Sequence, residues 1–234
     1  MNSAQEAVPF DIGGRQIALT VRRSHRARRI GLRIDPIRAN AELVVPRRIG
    51  LSEALRFAES KRGWLSERLA ALPAAIQFVD GVAIPVGGEM LAIRHTPGTR
   101  GPVRREGDLL MVSGAPEHQS RRVRDWLKAH ARVVLAMRSR DYAARVDRPV
   151  ASIRLGDPKS RWGSCSPDGA IAYSWRLILA PPDVLDYVVA HEVAHLIELN
   201  HGRKFWRLVG ELVGDVTGPR DWLRRNGTQL LRYG

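Results

Sequence analysis

A chain of 234 residues with 44% hydrophobic content and six tryptophans can bury one large core or two small ones, which excludes a disordered protein. Nowhere do about eighteen apolar residues follow one another, and Met1 to Phe10 holds no apolar run of signal-peptide length, so neither a membrane association nor a leader is expected, and the expected location is cytoplasmic. The net charge of +14 is nearly all arginine, because only Lys61, Lys128, Lys159 and Lys204 are lysines, and that brings phosphate, nucleic acid and acidic protein into consideration as partners.

Along the chain, Ile17, Leu19 and Val21 alternate with polar or small residues, and so do Ile30, Leu32 and Ile34 beyond a turn near Ser24 to Arg26. This period of two predicts a two-faced hairpin. A third strand around Glu42 to Val45 leads into an amphipathic helix from Ser52, with Leu55, Ala58, Leu65 and Leu69 as its stripe and Trp64 alongside. Short strands are expected near Met90 to Arg94 and Leu109 to Val112, and Gly87-Gly88 marks a turn. No phosphate loop is indicated, since the lysine and the spacing are missing.

From Glu117 to Arg145 the stripe Val123, Leu127, His130, Val134 and Met137 steps by four and three, which predicts a long helix with His130 as a core histidine. Strands at Ile153 to Leu155 and Ala170 to Leu179 follow, with Arg161-Trp162-Gly163-Ser164 between them. The whole reads as α+β: a β-rich N-terminal region with one amphipathic helix, residues 1–115, and a helical catalytic half, residues 116–234.

The chemistry concentrates in His191-Glu192-Val193-Ala194-His195, an H-E-x-x-H array, with His201 as a third histidine shortly after it. On a helix, positions i and i+4 share a face, so both imidazoles reach one ion, and Glu192 projects toward the open coordination position, where it can take a proton from water. Pro181-Pro182-Asp183 opens the helix, expected over residues 183–199, and Val184, Leu185, Val188, Val189, Val193 and Leu196 make it apolar nearly all round. Buried histidine and glutamate need partners or a metal.

His201 lies ten positions after His191, about 80° off that face if the helix continued, so the helix must end first. Asn200 as a left-handed terminal residue, with Gly202 beside it, would let the chain turn back. The His195-to-His201 spacing equals that of the metzincins, but Glu198 stands where they place glycine. Glu211 on the following helix is the rival third ligand; three neutral imidazoles are a common catalytic zinc set, which favours His201. Glu198 and Asp215 read as solvated carboxylates or as supports for a ligand. Cys165, the single cysteine, excludes an internal disulfide and reads as a small buried residue beside the site rather than a nucleophile or a fourth ligand.

The run Ser160 to Ser166 containing Arg161-Trp162-Gly163-Ser164-Cys165, then Tyr173 to Pro181 containing Trp175-Arg176-Leu177, then His191 to Trp206, resembles the YgjP-like metal-dependent hydrolases over about residues 150–215. These are zincin-type proteins related to the SprT-like and WLM metallopeptidases. The resemblance implies a zincin-like catalytic half around the HExxH helix, zinc on His191, His195 and His201, and Glu192 as catalytic base. Members are mostly named metallopeptidases, and some are described as nucleoside triphosphate pyrophosphatases.

Three functions are therefore weighed. The first is a zinc metallopeptidase acting on peptide or protein, with an edge strand beside the metal helix holding substrate extended. The second is a metal-dependent nucleotide pyrophosphatase in which Arg161 and Arg176, then Arg203 and Lys204, clamp phosphate. The third is a basic, nucleic-acid-associated protease of SprT-like type, bound through clusters at Arg22, Arg23, Arg26, Arg28 and Arg29, at Arg47 and Arg48, and at Arg121, Arg122 and Arg124. Arg161 enters as a catalytic candidate for an oxyanion or an anionic substrate group; as a structural arginine paired with an acid it would look the same. Three protein ligands leave one position open, as a hydrolase requires, and this favours the first.

Overall fold

The computed structural model describes residues 5–234, which fall into two units that divide between Ala74 and Ala75. In the first, β1 (Gln5–Ile12) and β2 (Arg15–Ser24) form an antiparallel hairpin through Gly13 and Gly14, both at positive φ, the backbone that a tight two-residue turn demands. β3 (Gly31–Asp35) and β4 (Asn40–Pro46) form a second hairpin, and β4 lies parallel to β2, giving the order β1-β2-β4-β3. The expected hairpin of residues 17–21 with 30–34 is thus corrected: both strands exist, but β4 stands between them. The segment missed was β1, whose inward Phe10 and Ile12 complete the alternation. α1 (Leu51–Ser60) and α2 (Arg62–Ala70) cover this sheet with Ala54, Ala58, Leu65 and Leu69, so the helix expected from Ser52 is two helices broken at Lys61.

The second unit holds everything that positions the histidines. A sheet of order β5-β6-β8-β7 comprises β5 (Ala83–Val86), β6 (Glu89–Thr96), β7 (Arg104–Glu106) and β8 (Leu109–Ser113). Its Ile84, Leu91, Ile93, Leu110 and Val112 share one core with the long α3 (Gln119–Arg145) and with the helix that carries His191. The boundary expected at 115/116 therefore falls inside this unit, because a four-stranded sheet has to bury its apolar face and does so against α3. On α3 the buried face runs Val123, Leu127, Ala131, Leu135, Ser139 and Ala143, while Met137 is exposed; the expected stripe drifts off the core after Leu127. His130, expected in the core, is only partly buried and stacks on Trp126 at 5.3 Å.

β9 (Ser152–Gly156), β10 (Gly163–Cys165) and β11 (Ala170–Ser174) form a third sheet of order β10-β11-β9, which leaves β10 at an edge. The expected strand to Leu179 stops at Ser174. There the Ser174 hydroxyl accepts from the Arg176 amide and starts a tight 3₁₀ turn, Trp175–Leu179, all of it buried. α4 (Pro182–Ala194), α5 (Arg203–Val213) and α6 (Thr217–Leu230) complete the unit. The observed architecture is α+β, and among the described residues no helix is long and apolar enough to cross a membrane.

Candidate metal centre

α4 opens on Pro182 with Asp183 in its first turn, and it buries Val184, Leu185, Val188, Val189, Val193 and Ala194. That packing leaves His191, Glu192 and His195 on the turn facing β10 and α5. The helix ends at His195, five residues before Asn200. Leu196 and Ile197 donate to Val193 and Ala194, Glu198 donates to Ala194, and Asn200 is not left-handed. A tightened last turn, and not a left-handed cap, reverses the chain. α5 then brings His201 back: Phe205, one turn in, is fully buried, with its ring 4.9, 4.6 and 4.7 Å from those of His191, His195 and His201. Trp206 stacks on His201 at 5.8 Å.

The three imidazoles converge so that one ligand atom from each lies within 4.8 Å of the others, with Nε2 of His191 and His201 3.1 Å apart. His195 Nδ1 lies 3.0 Å from the Glu198 carbonyl; donating there places the proton on Nδ1 and leaves the Nε2 lone pair free for a metal. Burial, then the charges of His195 and His201, push His191 down to about 4, and burial also lowers His195. Neutral rings are what a divalent ion needs, so the donor set fits one. His191 Nδ1 is buried without a partner among the described residues, so this ring lacks the acceptor that orients His195. Glu211 is exposed and faces Arg207 on α5, outside the cluster. Asp215 accepts from the amides of Thr217 and Gly218 at the start of α6, so its role is a helix cap.

Glu192 is 5% exposed. Burial pushes its carboxyl up to about 7, and the Arg161 guanidinium pulls the other way. Its neighbour is the β10 backbone: a Cβ built on Gly163 would lie 2.5 Å from Glu192 Oε1 and 2.6 Å from Cγ. Only glycine lets the strand approach the carboxylate so closely. Beside them a cavity of about 260 Å³ is walled by Arg161, Trp162, Tyr187, Val188, Arg220 and Leu223 and opens on His191 and Glu192. Sequence reasoning gave Gly163, Phe205 and Trp206 no individual role, although all three sat inside the resemblance, and it missed Arg220, which carries no local signal.

Several residues are placed elsewhere. Arg176, expected as a phosphate clamp, is 1% exposed; it binds Asp157 through Nε and Nη2 at 2.6 and 3.1 Å and donates to the Leu230 and Tyr233 carbonyls. It ties the C-terminal end down. Asp157→Ala is expected to cost about 1–3 kcal/mol, because the guanidinium keeps its two carbonyls but loses its counter-charge; the shift in denaturant midpoint at constant m measures it. Arg203 and Lys204 do not line the cavity. Of the N-terminal arginines, Arg22 pairs with Glu42 at 2.6 Å, Arg23 donates to the Ile49 carbonyl, and Arg48 donates to that of Arg28. Burial, with Glu192 and Asp168 adding to it, pushes the Cys165 thiol up to about 11. A thiol so seldom ionised is a poor nucleophile. Cys165→Ala is expected to retain metal content and turnover, and iodoacetamide at pH 8 is expected to label the folded protein far more slowly than the denatured chain.

A family model described as YgjP-like, metallopeptidase domain, matches residues 28–226. No curated protein and no solved structure matches the chain.

Proposed function

The chain belongs to the YgjP-like metallopeptidase-domain family, and from that premise we propose that it is a zinc-dependent peptidase in which Glu192 is the general base. The observation that carries this reading is the convergence of three imidazoles, and no fourth protein ligand among the described residues, at a buried glutamate. Zinc in such a site supplies Lewis acidity, polarising a carbonyl and making water acidic enough to attack near neutral pH.

The chain's own residues do the rest. His191 and His195 project from the end of α4 and His201 from the turn before α5, so residues of two elements would hold the ion. Glu192, pressed against Gly163, takes the proton of the attacking water and returns it to the departing amine, so the bond to nitrogen breaks as the amine is protonated. The free edge of β10 offers main-chain donors and acceptors to an extended peptide, which sets the carbonyl beside Glu192. Arg161, at the rim of the cavity, is a donor for an oxyanion or an anionic substrate group. With Arg176 bound to Asp157, the chain has lost one of the two clamps closest to the site that phosphoanhydride chemistry called for.

The test is the zinc-loaded protein against a peptide library and a nucleoside triphosphate panel, with Glu192→Gln as control. Peptide cleavage that disappears in the control is expected. Glu192-dependent hydrolysis of nucleotides with no peptide cleaved would replace the peptidase reading with the pyrophosphatase one.

A further inference from the structure

The cavity beside Glu192 carries more positive charge than the single donor, Arg161, that the peptidase reading uses. Two guanidiniums, Arg161 and Arg220, stand on its wall, and neither has a carboxylate within 4 Å among the described residues. Both are exposed, whereas the more buried Arg22, Arg138 and Arg176 are paired with Glu42, Asp186 and Asp157. The one acid on the cavity wall is Glu192, whose carboxyl is committed to the reaction. Arg220 is also held in place. Its guanidinium lies over the Trp206 ring at 5.7 Å, and that ring stacks on His201, so a cation is fixed at a set position relative to the histidines. The remaining wall, Trp162, Tyr187, Val188 and Leu223, is apolar or aromatic. About 260 Å³ is below the roughly 300–1,000 Å³ of pockets for drug-sized ligands, so it suits one side chain.

Resting on the peptidase reading, we propose that this cavity seats a substrate carboxylate next to the scissile bond, with Arg220 and Arg161 as its anchors and the aromatic wall enclosing the methylenes that carry it. Guanidiniums match carboxylates in fork geometry, and in a cleft beside a buried wall the pairing is less screened than at an open surface. The carboxylate has two sources, an aspartate or glutamate side chain or the free end of a peptide.

The experiment compares fluorogenic peptides that differ in one residue, Glu, Gln or Lys, beside the cleaved bond, each made with an amidated and with a free C-terminus. For the zinc-loaded protein, kcat/KM is expected to be about tenfold higher for the carboxylate-bearing peptide, the worth of one charge-assisted hydrogen bond. Preference for Glu within the amidated set assigns an acidic side chain; preference for free-acid over amidated peptides, whatever the variable residue, assigns the chain end. Arg220→Glu is expected to invert the order so that Lys leads, and Arg220→Lys to restore part of it. A second readout needs no turnover: quenching of tryptophan fluorescence by acetyl-glutamate amide or acetyl-alanine in the metal-free protein, with binding about tenfold weaker in Arg220→Gln. Equal kcat/KM across all peptides, with cleavage still dependent on Glu192, would overturn the carboxylate site and leave the peptidase reading standing. If no peptide is cleaved, the peptidase reading fails, and the quenching titration still decides whether the cavity takes a carboxylate.

Discussion

Glu192→Gln is expected to keep stoichiometric zinc and to lose turnover by at least the 10²–10⁴-fold that a positioned general base contributes, whereas His191→Ala or His195→Ala loses the metal itself. The two outcomes separate because the roles are separate in space. One ligand nitrogen from each of His191, His195 and His201 lies within 4.8 Å of the others, while the Glu192 carboxylate is packed against Gly163 in β10. Glutamine is nearly isosteric with glutamate and fills the same buried place, so the fold and the donor set survive; what vanishes is the ability to take and return a proton. Metal analysis after gel filtration, alongside peptide hydrolysis, checks both halves. Zinc lost to the same extent in Glu192→Gln as in His191→Ala would make Glu192 a ligand, and a chelator-treated wild type that keeps full activity would remove the metal from the reaction altogether.

How much of this was legible in the sequence follows the range of the interactions. The H-E-x-x-H helix was legible because i,i+4 spacing, an opening proline and an apolar surround are local. That His201 returns was legible as a necessity, since a continuing helix would carry it off the face. How it returns was not. The helix closes at His195 with a tightened turn, and Phe205 wedges its ring among all three imidazoles, a packing event between two helices that no spacing encodes. Strand alternation at 17–21 and 30–34 was visible, but partner choice was not: the Gly13-Gly14 turn assigns β2 to β1, and β4 then inserts beside β2. Arg176 and Arg161 look equivalent in sequence, and only tertiary structure buries one against the Asp157 carboxylate and leaves the other at the cavity. Arg220, 59 residues from Arg161, reaches the same wall because α6 packs on α4.

Gly163→Val is expected to abolish turnover while leaving zinc binding intact, and Gly163→Ala to lower it by about 100-fold or more, the loss that a misplacement of about 1 Å brings. The premise is the closeness of β10 to α4. Any Cβ at position 163 would sit 2.5–2.7 Å from the Oε1, Cγ and Cδ atoms of Glu192, far inside van der Waals contact. Something must move. Tyr173 in β11, register partner of Gly163, is 1% exposed and hydrogen-bonded to Ser139 on α3 at 3.0 Å, so the sheet is anchored from behind. α4 is equally fixed by its fully buried Val189, Ala190, Val193 and Ala194. The Glu192 side chain is the soft element, and it would swing away from the place where it meets water. His191 and His195 hang from the same helix but do not touch Gly163, so the donor set is spared. Metal content, circular dichroism and kcat measured together on the Ala and Val variants decide it. A Gly163→Val protein with wild-type kcat would show that the carboxylate has room to spare and that its contact with β10 does not position the base.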